Sequence, residues 1–178
     1  MKICIFCGAS SSKDPEVEIV AKRIMLDFKK SQIDLVYGGA AIGVMGTLAS
    51  ELMSLGGEVT GVIPQHLMTK EVAHPGLSHL HVVKDMHERK QLMYKLSDAF
   101  LIFPGGMGTL DELFEIVTWK QLGLHAKPIA ILNINNYFDS LLNFLDHAVN
   151  QGLIKPSDRQ LIYSSSNWDE VKKYLTGF

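Results

Sequence analysis

Two patterns of apolar and polar residues take turns along this chain. Short, nearly unbroken apolar runs occur at 2–7, 33–37, 58–63, 79–83, 99–103 and 128–132. Between them lie longer stretches in which apolar residues return every three or four positions, as a one-sided helix requires. In the first such stretch Val17, Val20, Ala21, Ile24 and Phe28 form one stripe, opened by Asp14-Pro15-Glu16, a carboxylate cap with proline in the first turn. The same reading predicts helices at 44–55, stopped by Gly56-Gly57, at 86–96, 110–122 and 137–151, and a last one at 168–174. Residues 64–76 read as irregular with one short helix, and a short apolar piece lies near Leu161.

Strands that are continuous apolar runs, separated by helices, imply parallel pairing with both sheet faces covered. The expected architecture is a Rossmann-like, doubly wound three-layer α/β/α fold with a mainly parallel sheet. No internal repeat, low-complexity tract or linker divides it, so residues 1–178 are expected to form a single domain. Ligands in such folds bind beyond the carboxyl ends of the strands. Three glycine-bearing loops follow strand ends here, at 8–10, 38–43 and 105–108. Any one of them alone is most simply a tight turn; three at one sheet edge can converge on one crevice.

The third loop carries the most chemistry. Phe100-Leu-Ile-Phe-Pro-Gly-Gly-Met-Gly-Thr-Leu-Asp-Glu112 is a buried strand running through a glycine turn into a helix N-terminus. Backbone N–H groups and the positive end of the helix dipole meet there, which suits an anion. Glu112 is unexpected beside a phosphate cradle. A pure binding loop gains little from it, whereas a site doing chemistry next to a bound phosphate could use it as a base or to stabilise a cation. In the first helical turn, where this reading puts it, it should stay ionised. Gly106-x-Gly108 is not the dinucleotide fingerprint, because Asp111 stands where the third glycine belongs. Gly38 and Gly43 have the spacing of a Walker loop, but Val44-Met45 replace its lysine and hydroxyl, which argues against triphosphate–magnesium chemistry. A second cluster, Asp85-Met-His-Glu-Arg-Lys90, opens a helix after a strand. Arg89 and Lys90 lie near an N-terminus, where cations oppose the dipole, and that placement makes sense opposite an anionic ligand or a carboxylate. A guanidinium would orient and neutralise rather than shuttle protons.

Composition narrows the classes. A net charge of −2 with no basic block argues against a nucleic-acid binder. No apolar run reaches membrane-spanning length and no signal-peptide pattern opens the chain, so a cytoplasmic protein with no membrane partner is expected. Cys4 and Cys7 have redox spacing, but Cys4 lies within a strand, so packing in a reducing compartment is the better reading. His74, His79, His81 and His87 lie on a loop, a strand and a helix start without a supporting carboxylate pattern, so no metal is expected.

Met86-His-Glu-Arg-Lys90 together with Pro104-Gly-Gly-Met-Gly-Thr-Leu-Asp-Glu112 resembles the LONELY GUY family, the cytokinin riboside 5′-monophosphate phosphoribohydrolases. The resemblance extends through Cys7–Ser10, Tyr37-Gly-Gly and Gly43-x-Met-Gly46 to Trp119 and Pro128, essentially the whole chain. It implies Arg89 and Glu112 as a catalytic pair, with Gly105, Gly106, Gly108 and Thr109 on the phosphate. Gly8, Ser10, Gly38, Gly39, Gly43, Met45, Lys90 and Glu71 are expected as further substrate-binding positions. It implies hydrolysis of an adenosine or N6-substituted adenosine 5′-monophosphate without a cofactor, by a homodimer. The apolar residues Leu113, Phe114, Ile116, Val117, Trp119 and Leu122, more than one sheet contact needs, point the same way, though burial between layers of one subunit explains them nearly as well. Met107 stands where an aromatic is common in the family and Thr69 where a proline is, departures that bear on the base. Family members have often been labelled lysine decarboxylases; no pyridoxal-phosphate lysine with its pyridinium partner is visible here. A non-catalytic nucleotide module, an AMP nucleosidase without cytokinin preference and a nicotinamide oxidoreductase are the other classes. The Arg89/Glu112 pair disfavours the first of these and the missing fingerprint the last. Met45, Met86, Met93 and Met107 are candidates for an adaptable apolar base pocket, although methionine more commonly fills cores.

Overall fold

The computed structural model describes residues 1–68 and 72–177. Seven strands form one sheet: β1 (Lys2–Phe6), β2 (Asp34–Tyr37), β3 (Val59–Pro64), β4 (His79–Val83), β5 (Ala99–Ile102), β6 (Ile129–Leu132) and β7 (Tyr163–Ser165). Their order is β4-β3-β2-β1-β5-β6-β7, and every neighbouring pair is parallel. Seven α-helices connect them: α1 (Pro15–Lys30), α2 (Gly43–Ser54), α3 (Met86–Leu96), α4 (Met107–Gln121), α5 (Asp139–Asn150), α6 (Pro156–Arg159) and α7 (Trp168–Thr176). The expected doubly wound three-layer arrangement is present.

Strand alternation divides the core in two. Ile3, Ile5 and Cys7 face a cluster completed by α1, α2 and α7, with Phe28, Leu48 and Trp168 among its members. Cys4 and Phe6 face the other side, with Met93, Leu113 and Leu145 from α3, α4 and α5. Phe6 and Phe100 stack across this second face with ring centroids 5.8 Å apart. β1 lies between β2, which leads away on one side, and β5, which leads away on the other, so the chain reverses direction between β1 and β5. At such a switch point the loops leaving two adjacent strands part and open a crevice.

Local signals account for most element boundaries. Asp14 caps α1 by accepting the Glu16 N–H at 3.0 Å, with Pro15 in the first turn. Asp85 caps α3 by accepting from Glu88, and the Glu88 carboxylate accepts the Lys84 N–H at 2.8 Å, close to a capping box. Two expectations need correction. Helix α4 begins at Met107, three residues before the predicted start, because 107–109 supply its first turn instead of loop; Glu112 therefore sits in the second turn. β4 is an edge strand with four of its five residues exposed, so it is not covered on both faces. The apolar piece near Leu161 is a turn, and the strand that follows, Tyr163–Ser165, is an edge strand whose residues are half-buried. The short helix α6 opens on Pro156 and was not anticipated.

Cys4 and Cys7 are three positions apart, so they project to opposite faces of the sheet. They are free thiols, not a disulfide. Burial, reinforced by the negative charge of Glu112, pushes both well above the ordinary thiol range. The reactive thiolate is thus suppressed in the folded protein. Iodoacetamide at pH 8 should leave both cysteines unmodified in the native protein and alkylate both in denaturant; fast native labelling, read by mass spectrometry, would contradict this packing.

Candidate functional site

A cavity of about 590 Å³ opens at the carboxyl edge of the sheet. It is built by the loops after β1, β2 and β5 and the first turns of α2, α3 and α4. Cys7 to Lys13 come from the first loop, and Gly38 from the second. Pro104, Gly105 and Gly106 come from the third, and Gly108 and Thr109 from the first turn of α4. Arg89 and Glu112 both line it.

The glycine loop is seated on the loop beside it. Gly8 donates its N–H to the Pro104 carbonyl at 3.1 Å, and Phe103 donates to Phe6 at 2.9 Å. A Cβ on Gly105 would collide with the Thr109 hydroxyl and lie 2.7 Å from the Gly8 nitrogen, so this approach of two backbones requires glycine. Gly106 is the N-cap of α4 and offers no side chain to cap the helix. The N–H groups of the first turn are therefore left to other partners. Thr109 is 2% exposed, and its Oγ1 has no hydrogen-bond partner among the described residues. Leaving a buried hydroxyl unsatisfied costs about 1–3 kcal/mol, so its placement at the cradle points to a ligand acceptor.

Arg89 is 4% exposed on the first turns of α3. Its Nη2 donates to the Gly38 carbonyl at 2.8 Å. A Cβ on Gly38 would occupy the space of that guanidinium, so the glycine at the end of β2 is what lets the arginine pass. Glu112 and Arg89 act in opposite senses on the Cys7 thiol at the cavity floor, the carboxylate raising its pKa and the guanidinium lowering it. An acidic and a basic group thus flank one cavity.

The other predicted positions divide. Gly8, Ser10, Gly38, Met45, Gly105, Gly106, Gly108 and Thr109 line the cavity. Gly39 is not among the lining residues; it packs behind the site, and its carbonyl accepts the His74 N–H. Gly43 lies against the backbone of Ala9 and Ser10 and lines a smaller neighbouring pocket of about 60 Å³. Lys90 is outside the cavity: its Nζ pairs with Asp111 and Glu115, each at 3.1 Å, tying α3 to α4. Glu71 lies outside the described residues. Of the methionines, Met45, Met86 and Met93 line the cavity, whereas Met107 is 86% exposed and points away.

Residues missed in the sequence also reach the site. Lys13 and Leu67 line it, and so does Tyr137 from the loop after β6. The serine-rich loop continues the lining past Ser10 through Ser11 and Ser12 to Lys13. Nothing local to Tyr137 signals its placement.

Comparison with known proteins identifies the family. Residues 45–175 match the family model described as "Possible lysine decarboxylase". The cytokinin riboside 5′-monophosphate phosphoribohydrolase LOG7 of Arabidopsis thaliana is 43% identical over 174 residues, covering 98% of this chain and 80% of its own. The cytokinin riboside 5′-monophosphate phosphoribohydrolase of Rhodococcoides fascians is 45% identical over 161 residues, covering 90% and 81%. Among solved structures, the Moco carrier protein from Chlamydomonas reinhardtii has the same fold, with a TM-score of 0.71 over 99% of this chain and 98% of its own at 16% identity. The molybdenum cofactor binding protein from Rippkaea orientalis is equally close, at 0.71 and 16% identity over 99% and 95%. Likeness at that identity speaks for the fold alone, but the sequence relatives extend over nearly the whole chain, and the chain belongs to the LONELY GUY family of cytokinin riboside 5′-monophosphate phosphoribohydrolases.

Proposed function

We propose that this protein hydrolyses the N-glycosidic bond of an adenosine 5′-monophosphate, plain or N6-substituted, releasing the base and ribose 5-phosphate. The observation that carries the reading is the buried, unpartnered Thr109 hydroxyl at a glycine-lined helix N-terminus, opening into the cavity that Arg89 and Glu112 line. Its support in sequence is the family membership and the activity for which the relatives are named.

The chemistry follows from the groups present. Leaving of the base builds positive charge on the ribose ring and negative charge on the base. The cradle of Gly105, Gly106, Gly108 and Thr109 holds the 5′-phosphate, and this remote binding energy places the anomeric carbon. The Glu112 carboxylate faces the developing cation and positions or deprotonates the attacking water. Thr109 and Glu112 are three residues apart on α4, so they share a helix face. Arg89, held by the Gly38 carbonyl, orients the ribose or offsets developing negative charge. Met45, Met86, Met93 and Leu67 supply an apolar wall for the base and its substituent. A decarboxylase acting through a Schiff base would need a desolvated lysine facing the cavity. Among the described lining residues the lysine is Lys13, which is exposed at the rim.

We further propose a homodimer. Helix α2 spends its apolar residues Val44, Met45, Leu48, Ala49 and Leu52 within its own subunit. Helix α4 does not: Phe114, and Leu122 and Leu124 just beyond it, remain exposed. Light scattering at micromolar concentration should give twice the chain mass, and a monomer mass would count against the dimer.

Incubation with AMP, its N6-isopentenyl form, GMP and CMP tests the reaction directly, with free base as the readout. Apolar contact of a few carbons gives selectivity of about 10–200-fold, so AMP should be a weak substrate beside the alkylated nucleotide. Removing the 5′-phosphate should lower kcat/KM by roughly 10²-fold or more. Binding of nucleotide with no base released from any of them would favour a non-catalytic nucleotide module, and equal turnover with and without phosphate would remove the cradle from the mechanism.

Glu112→Gln keeps the shape and loses the charge. It should lower kcat by about 10²-fold or more while nucleotide affinity, measured by calorimetry, is largely kept. A glutamine variant with most of its activity would refute the role.

A further inference from the structure

Tyr137 stands at the mouth of the cavity, 55% exposed, on the loop between β6 and α5. Its Oη donates to the Gly105 carbonyl at 2.7 Å, across 32 residues of sequence. This is a short contact from an exposed side chain to the backbone of the phosphate cradle. A planar trans peptide sets its C=O and the next N–H on opposite sides. Holding the Gly105 carbonyl toward Tyr137 therefore turns the Gly106 N–H the other way. The preceding peptide is fixed by the same logic, since the Pro104 carbonyl accepts from Gly8 and the Gly105 N–H is turned opposite. Two successive peptides of the cradle are thus oriented from outside it, one by backbone and one by Tyr137.

The loop that carries Tyr137 is itself pinned. The Asn133 side chain accepts the Phe138 N–H at 2.8 Å and donates to Asp139 at 2.7 Å. Asn135 donates to the free oxygen of the α1 cap, Asp14 Oδ2, at 2.8 Å. Asn135 and Asn136 both take left-handed backbone conformations, with φ of 46° and 62°, which asparagine tolerates better than most residues. Tyr137 packs edge-on against the buried Phe138, with centroids 4.9 Å apart. These bonds join the loops after β1, β5 and β6 at the rim of the cavity.

Resting on the function proposed above, we infer that Tyr137 is a positioning residue for the 5′-phosphate: its hydroxyl sets the orientation of the Gly105–Gly106 peptide so that the cradle is formed before substrate arrives. The ligand it serves is a phosphomonoester on a five-carbon sugar. Its effect therefore falls on phosphate affinity and leaves the bond-breaking groups in place.

Tyr137→Phe removes the hydroxyl and keeps the ring. Losing one hydrogen bond of ordinary net strength weakens binding about five- to tenfold. Calorimetric affinity for ribose 5-phosphate should fall by that factor. With nucleotide as substrate the loss should appear in KM far more than in kcat, and the preference for a 5′-phosphate over the phosphate-free nucleoside should shrink by the same factor. Tyr137→Leu should weaken ribose 5-phosphate by at least as much. A thermal midpoint close to that of the unsubstituted protein excludes general unfolding as the cause. Unchanged ribose 5-phosphate affinity in Tyr137→Phe would overturn the inference, and so would an equal loss for the phosphate-free nucleoside, which would assign the effect to the ring. The binding arm does not depend on turnover. If no nucleotide yields free base, the proposed reaction fails, while the ribose 5-phosphate affinities still decide the role of Tyr137.

Discussion

The close approach of the backbones leaving β1 and β5 is the constraint from which the site follows. Parallel neighbours normally end in loops that cross to the same side; here they leave to opposite sides, and the gap between them is closed at its base by the bonds from Gly8 to Pro104 and from Phe103 to Phe6. That contact leaves no space for side chains at Gly105, so the loop can be made only of backbone there. A backbone-only surface at the start of a 15-residue helix presents N–H groups and little else. The suitability of this turn for an anion is a by-product of how tightly two strands' exits are packed.

The two charged groups of the site depend on the same economy of space. Arg89 reaches the cavity because Gly38 has no side chain, and the Gly38 carbonyl then gives the buried guanidinium one of its partners. Lys90, its sequence neighbour, is directed to Asp111 and Glu115 on α4. Burial tends to lower the lysine's pKa, but the two carboxylates more than offset this, and the net shift is upward. The Arg-Lys pair thus divides its labour: one side chain enters the site, and the other fixes the spacing between the helices that carry Arg89 and Glu112.

Much of this was legible in the sequence because it is written locally. Strand runs, the Asp14 cap and the glycine loops each depend on a few adjacent residues, and the three-layer fold follows from their alternation. What was not legible depends on direction or on distant contact. Whether Lys90 points in with Arg89 or sideways to α4 is decided by about a 100° rotation per residue along a helix, and the motif is silent on it. Gly39 and Gly43 belong to the right loop but support it from behind. Met107 sits within the motif yet faces solvent, because the helix begins at that residue and not three later. Tyr137 could not be foreseen at all, since its partner is a backbone carbonyl remote in sequence, and the pattern that predicts a helix from 137 puts it at a helix start, whereas α5 begins at Asp139.

The start of α4 at Met107 places recognition and chemistry on one rigid rod. Thr109 and Glu112 are separated by three residues of continuous helix, a rise of roughly 4.5 Å with nearly the same facing. No hinge lies between them, so no motion of a loop can bring the carboxylate to the sugar or take it away. Deleting a single residue between 109 and 112 would turn the carboxylate by about 100° around the axis, to roughly the opposite side of the helix from Thr109. The segment is accordingly free to vary in side chain at an outward position such as 107, but not to shorten: it works as a ruler, and its graduations are the helical rise.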